Sequence, residues 1–149
     1  MQYRIVPDIV RDQRLITAPE TMTAREAARL MAANKISALM VLDGVRLRGI
    51  FTERDLALKV VAAGLDPDKV ALSEVMTRDP DTLRPDHTAR SALEKMSRRG
   101  YRHLPVVDGD KVVGIVSVRD LYDAVLNQVE GDIRELDAFI HGPGYGLNP

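Results

Sequence analysis

The spacing of apolar positions along this chain changes several times, and each change marks an element. A short run near Leu15-Ile16-Thr17 reads as a strand. From Thr23 the period lengthens: Ala27, Leu30 and Met31 fall on one helical face. Thr23-Ala24-Arg25-Glu26 opens that helix as a capping box, with a hydroxyl at the N-cap and a carboxylate three residues on. Ala38-Leu39-Met40-Val41-Leu42 is an apolar run of buried-strand length. Asp43-Gly44 makes a turn, and Leu47 to Phe51 is the returning strand. Thr52 stands where an N-cap belongs. The helix behind it is expected from about Glu53 to Ala63, stopped by Gly64.

The same succession then occurs again. Thr82-Leu83 is the short strand, and Ala89, Ala92, Leu93 and Met96 form the helical stripe. Leu104-Pro105-Val106-Val107 is the buried strand and Asp108-Gly109 the turn. Val112 to Val116 returns, Ser117 caps, and a helix follows from about Val118 to Val129. Sliding the chain along itself shows a true repeat. Gly49-Ile50-Phe51-Thr52-Glu53-Arg54-Asp55-Leu56 recurs as Gly114-Ile115-Val116-Ser117-Val118-Arg119-Asp120-Leu121, at an offset of 65. That offset also pairs Val41-Leu42-Asp43-Gly44 with Val106-Val107-Asp108-Gly109, and Met31 with Met96. Upstream it becomes 66, so Pro19-Glu20 meets Pro85-Asp86 and Asp8-Ile9-Val10 meets Glu74-Val75-Met76. Helical periodicity alone would not bring turn glycines, caps and acids into register.

Each repeat is therefore a β-α-β-β-α unit, and the fold class is α/β (α+β). One such unit leaves an apolar sheet face uncovered, and two cover each other, so the pair is the natural folding unit. The expected organisation is a first motif over 1–66, a second over 67–130, and a C-terminal portion over 131–149. Gly64-Leu65-Asp66-Pro67-Asp68 carries turn chemistry at the boundary. Asp132 to Ile140 forms one more short helix with Ile133, Leu136 and Ile140 on one face. The segment Gly142 to Pro149 carries no periodic pattern and is expected to be mobile.

Composition narrows the function classes. The 149 residues are 45% hydrophobic and 29% charged, the balance of a globular protein. The net charge of −1 provides no global basic field to attract nucleic acid. There is no cysteine, hence no disulfide, thiolate metal site or cysteine nucleophile. The three histidines, His87, His103 and His141, show no close metal-ligand spacing. No apolar run has the length of a membrane span, and the start Met1 to Asp8 has no long apolar core of a secretory signal. A cytoplasmic location is the expectation. No Ser/His/Asp order, Walker loop or Gly-x-Gly-x-x-Gly turn is present, so no enzyme chemistry is expected.

The chemistry concentrates in the repeated signature: Gly, apolar, any, Thr/Ser, any, any, Asp. The glycine allows close backbone approach. The hydroxyl sits at a helix N-terminus, where free N–H groups and the dipole favour an anion. The Asp lies one turn in, on the same side, and a carboxylate there accepts bonds from vicinal hydroxyls such as a ribose diol. The combination suits a nucleoside phosphate. A plainer reading stands beside it, in which Thr52 and Ser117 are simple caps and Asp55 and Asp120 are first-turn acids that favour the dipole.

Gly-Ile-Phe-Thr-Glu-Arg-Asp and Gly-Ile-Val-Ser-Val-Arg-Asp resemble the ligand signature of CBS (cystathionine-β-synthase-type) motifs. Ile36 to Asp43 and Tyr101 to Asp108 resemble the middle of such motifs. The resemblance covers residues 6 to 130 and implies a small stand-alone pair, or Bateman module. Its two repeats would pack about a pseudo-two-fold axis with two clefts between them. It further implies a homodimer binding an adenine nucleotide (AMP, ADP, ATP or NAD(H)) and signalling energy or redox state to a regulated protein. By that resemblance Thr52 and Asp55 face Tyr101, Arg102 and His103. Ser117 and Asp120 face Ile36, Ser37 and Ala38, with Ile16 and Thr17 near the base. Pro105 belongs to the family pattern, whereas the first repeat carries Met40 in its place, which is expected to leave that strand end less fixed.

Arg102 and His103 are the candidates for phosphate contacts, since a guanidinium grips phosphate oxygens bidentately. Ser37 and Ala38 offer no charge at the matching positions. The Thr52/Asp55 cleft is therefore expected to prefer the more highly charged phosphate chain. Arg54 and Arg119 precede each Asp and reach either a phosphate, a dimer partner or solvent. Lys59, four residues after Asp55, reads as an i,i+4 partner. The rival readings are an interaction module with empty clefts and a small nucleotide-processing enzyme.

Overall fold

A computed structural model describes residues 2–142. Met1, and the segment after Gly142 expected above to be mobile, lie outside the described residues. β1 (Thr17–Pro19) is followed by α1 (Ala24–Asn34), β2 (Ala38–Asp43), β3 (Arg46–Thr52) and α2, which begins at Glu53–Asp55 and continues as a wider, π-type helix over Leu56–Val61. A short α3 (Leu72–Val75) and β4 (Thr77–Arg78) lead to the second repeat. There α4 (Ala89–Arg99), β5 (His103–Asp108), β6 (Lys111–Ser117) and α5 (Val118–His141) follow in turn.

The capping box expected at Thr23 is present: Thr23 Oγ1 accepts from Glu26 N, and Glu26 Oε2 accepts from Thr23 N. β1 starts two residues later than the sequence implied, at Thr17, and pairs in parallel with β2. In the second repeat the matching strand shrinks to one parallel bridge, Leu83 with Val106. The hairpins β2–β3 and β5–β6 have the same register and the same irregularity, between Val41 and Leu42 and between Val106 and Val107. Their turns place Gly44 and Gly109 at φ +60 and +61, the left-handed region that glycine adopts without a Cβ penalty. Met40, at the position of Pro105, is buried and in register with both Thr17 and Ile50.

Each hairpin packs under two helices. Ala27, Met31, Leu39, Val41, Phe51 and Val60 form one core, and Ala92, Met96, Leu104, Val106, Val116 and Leu121 the other. Burying each large side chain contributes roughly 1.5–3 kcal/mol. The two cores are interlocked by exchanged arms. Ile5 and Val10 lie in the second repeat's core, where Ile5 N donates to His87 O. Val70, Leu72 and Val75 lie in the first repeat's core, where Leu72 N donates to Met22 O.

The C-terminal helix expected over Asp132 to Ile140 is present as the continuation of α5, which runs unbroken through Gly131. Leu126, Val129, Ile133, Leu136 and Ile140 are exposed along it. No helix among the described residues is long and apolar enough to cross a membrane.

Candidate functional site

Both signature helices begin the same way. Thr52 Oγ1 accepts from Asp55 N (3.2 Å), and Asp55 Oδ2 accepts from Thr52 N (3.0 Å). Ser117 Oγ accepts from Asp120 N (3.1 Å), and Asp120 Oδ2 accepts from Ser117 N (3.0 Å). An Asp at the third helical position thus closes a capping box on its own hydroxyl. The plain capping reading is correct as far as it goes, yet each Asp also lines a cleft. Each entrance is tied to its own repeat's strand start: Glu53 N donates to Ser37 O, and Val118 N to Arg102 O. The signature glycines do what close approach requires. A Cβ on Gly49 would lie 2.8 Å from the Thr77 carbonyl oxygen, and one on Gly114 2.6 Å from a Val10 methyl.

Two cavities open at the seam between the repeats. The first, of about 180 Å³, is lined by Thr52, Glu53, Arg54 and Asp55 on one side and by Tyr101, Arg102 and His103 on the other, with Pro80, Asp81 and Gly100 nearby. The second, of about 270 Å³, sets Ser117 and Asp120 against Ile16, Ile36, Ser37 and Ala38, with Arg14 and Lys35 at its edge. Thr17, Pro105 and Arg119 are not on the lining of either. Thr17 is engaged in β1, Pro105 is buried in β5, and Arg119 lies exposed on α5.

His103 and Ser37 line both cavities, and His103 Nε2 lies 3.1 Å from Ser37 Oγ. Burial holds the His103 pKa below the ordinary histidine value; the carboxylates of Asp120 and Glu53 pull it up and the Arg102 guanidinium pushes it down. The ring is neutral near pH 7 and forms the partition between the cavities.

The two carboxylates differ in how much of their capacity is used. Asp55 is buried, its Oδ2 also accepts from Thr52 Oγ1, and its Oδ1 meets Lys59 Nζ at 3.1 Å, the expected i,i+4 pair. Asp120 is exposed, lines its cavity and takes part in no ion pair among the described residues. Sequence reasoning missed Arg14, Lys35 and Asp81. A signal for Lys35 existed: at offset 65 it matches Gly100. Both terminate helices in the left-handed region, at φ +53 and +73. A side chain there costs about 1–2 kcal/mol.

Fold and clefts together define a tandem-repeat module in which one repeat's helix entrance faces the other's strand entrance. Comparison with known proteins gives the family. The CBS-domain model matches residues 6–62 and 72–127. An Arabidopsis thaliana CBS domain-containing protein, CBSCBSPB3, is 40% identical over 118 residues, 78% of this chain. The chain spans only 21% of that relative's length. A solved structure of a protein with CBS domains from Burkholderia ambifaria superposes with a TM-score of 0.75 at 33% identity, covering 78% of this chain and 86% of the other. The CBS domain pair of protein MJ0100, solved with 5′-methylthioadenosine and S-adenosyl-L-methionine, superposes with a TM-score of 0.77 at 31% identity, covering 86% and 99%. The chain belongs to the CBS-domain family, as a regulatory pair of its motifs.

Proposed function

We propose that this CBS pair, with motifs over 1–66 and 67–130, binds an adenine nucleotide or related adenosyl ligand in its two clefts, without catalysis, and reports its presence to a partner protein. The observation that carries the reading is the cross-repeat construction of both cavities. Thr52 and Asp55 face Tyr101, Arg102 and His103, and Ser117 and Asp120 face Ile36, Ser37 and Ala38. A ligand seated there touches both halves and biases their relative arrangement by its different affinity for each arrangement. The adenosyl compounds bound by the MJ0100 pair, at 31% identity, support the ligand class. AMP, ADP, ATP and NAD(H) share the adenosine half that a carboxylate at a helix entrance holds by its diol. The exposed Leu58 and Val61 on α2, with Tyr122 and Leu126 on α5, support a homodimer formed through these helices.

Calorimetry with AMP, ATP and NADH tests the proposal, repeated on Asp55→Ala and Asp120→Ala. Each substitution is expected to weaken binding at its own cleft by about tenfold or more. Unchanged affinity in both variants removes the ribose assignment. A second reading, an interaction module whose clefts stay empty, draws on the engagement of both Asp55 oxygens by Thr52 and Lys59. It predicts no thermal shift with any adenine nucleotide and an oligomeric state indifferent to them.

A further inference from the structure

Helix α5 carries two apolar stripes with different destinations. Leu121, Ala124 and Val125 pack into the second repeat's core, and the same face continues half-buried to Gly131, where it ends. Beyond it every residue from Asp132 to His141 is exposed. The second stripe is Tyr122, Leu126, Val129, Ile133, Leu136 and Ile140, all exposed, at alternating steps of four and three residues. That is a strict repeat of about 3.5 residues, the narrow seam of a coiled coil rather than the wider face of a helix lying on a core. The seam runs on past Gly131 to the end of the helix. A helical segment this short is marginal in water without packing, and an interior glycine weakens it further.

The positions beside the seam select what covers it. With Ile133 and Ile140 at a, and Val129 and Leu136 at d, the charged residues at the flanking e and g positions are Glu130, Asp132 and Asp137. Glu130 meets Arg134 at 4.0 Å and Asp137 meets His141 at 3.7 Å, both exposed i,i+4 pairs of the kind that contribute little in water. With Arg134 counted and His141 neutral, residues 130–141 keep a net charge of −3, four carboxylates against one guanidinium, compared with −1 for the whole chain. A second copy of the same seam fits poorly. In a parallel pair Asp132 stands opposite Asp137 of the other copy, and in an antiparallel pair carboxylate again meets carboxylate.

We propose that the C-terminal half of α5, from Val129 to Ile140, docks a basic amphipathic helix of a partner protein. Aliphatic side chains of that helix meet the seam, and its flanking Lys or Arg residues face Glu130, Asp132 and Asp137. Tyr122 and Leu126, further up the stripe, stay with the homodimer surface described above. The proposal gives a chemistry to the partner that the reading above invokes, and it stands or falls without regard to what the clefts bind. The entrance of the same helix, at Ser117 and Asp120, lines the second cleft, so cleft and docking seam lie on one element.

Two labelled synthetic peptides of about three heptads test it, each with Leu at a and d, one with Lys and the other with Glu at e and g. Fluorescence anisotropy with the full chain, free of nucleotide and at about 0.15 M salt, reads binding. The Lys peptide is expected to bind and the Glu peptide to fail. Ile133→Gln/Ile140→Gln is expected to weaken the Lys peptide by about tenfold or more. Asp132→Lys/Asp137→Lys is expected to move the preference to the Glu peptide. All four positions are exposed and outside both cores, so each variant is expected to melt within about 2 °C of the parent. Equal binding of the Lys peptide by the parent and by Ile133→Gln/Ile140→Gln shows charge attraction without docking and overturns the proposal. So does failure of the Lys peptide to bind, or equal binding of both peptides. A sedimentation mass that falls in Ile133→Gln/Ile140→Gln assigns the seam to a second copy and overturns it too. None of these outcomes bears on the nucleotide reading, which the calorimetry above decides.

Discussion

In the first repeat β3 is flanked by a strand: Ile50 lies in register with Thr77 of β4. In the second repeat no strand among the described residues takes that place, and the matching residue, Ile115, bonds to a side chain. Ile115 N donates to Gln13 Oε1 at 2.8 Å, and Gln13 Nε2 donates to Ile115 O at 3.1 Å. A primary amide has one acceptor and one donor group at nearly the spacing of a peptide, so it serves as a one-residue strand. The comparison teaches that the repeats share hairpins, turns and helix entrances, which local sequence dictates. They differ where an arm from elsewhere in the chain covers the hairpin. The clefts follow this rule in part. Their common parts are the Thr52/Asp55 and Ser117/Asp120 entrances; of their distinct parts, Arg14 against Pro80 lies on the flanking segments, and Lys35 against Gly100 lies at the ends of α1 and α4.

The sharpest way to break this comparison is to add a methyl group to each signature glycine. Gly49→Ala meets the Thr77 carbonyl oxygen and the Met76 side chain, whereas Gly114→Ala meets the Val10 and Gln13 side chains. Backbone yields less than side chain, so denaturant unfolding is expected to show a loss of about 1–3 kcal/mol, larger for Gly49→Ala. Equal losses would mean that the two covering arms are equally rigid. Next in size is Gln13→Ala, which removes both bonds to Ile115. It is expected to cost about 1–2 kcal/mol and to speed hydrogen exchange at the Ile115 amide. An unchanged exchange rate there would show that water replaces the side chain without loss.

The smallest expected effect concerns the partition between the clefts. Burial depresses the His103 pKa, so the folded protein binds this proton less readily than the unfolded chain. Above the unfolded value both states are neutral and His103 contributes nothing. As pH falls through the unfolded value, the unfolded chain takes up the proton first and stability drops. Thermal melts from about pH 7.5 down to about pH 5.5 are therefore expected to show a fall in Tm, and His103→Gln is expected to lessen it. An identical pH profile in the variant would assign the acid sensitivity to other groups.

Much was legible from residue order alone because it depends on neighbours within a few positions. The two hairpin turns, the capping hydroxyls, the helical stripes through Met31 and Met96 and the Asp55–Lys59 pair are all local, and periodicity and spacing expose them. The duplication added long-range information, since two copies of an incomplete unit imply that they cover one another. With the family resemblance, it placed Tyr101 to His103 across from Thr52 and Asp55. Arg14 and Asp81 escaped notice because their role depends on where a flanking segment crosses the other repeat, and Lys35 because the cavity beside it is completed by the other repeat. Lys35 in particular reads as an ordinary helix terminus until its left-handed backbone and the adjoining cavity are seen together. The exchange of arms was equally hidden. Ile5 and Val10 look like the start of the first repeat, yet their apolar surface is buried in the second. Hydrophobic burial carries no record of which neighbour supplies the cover, so the chain's own order determined the repeated elements. Only their packing decided which segment closes which core and which charges face each cleft.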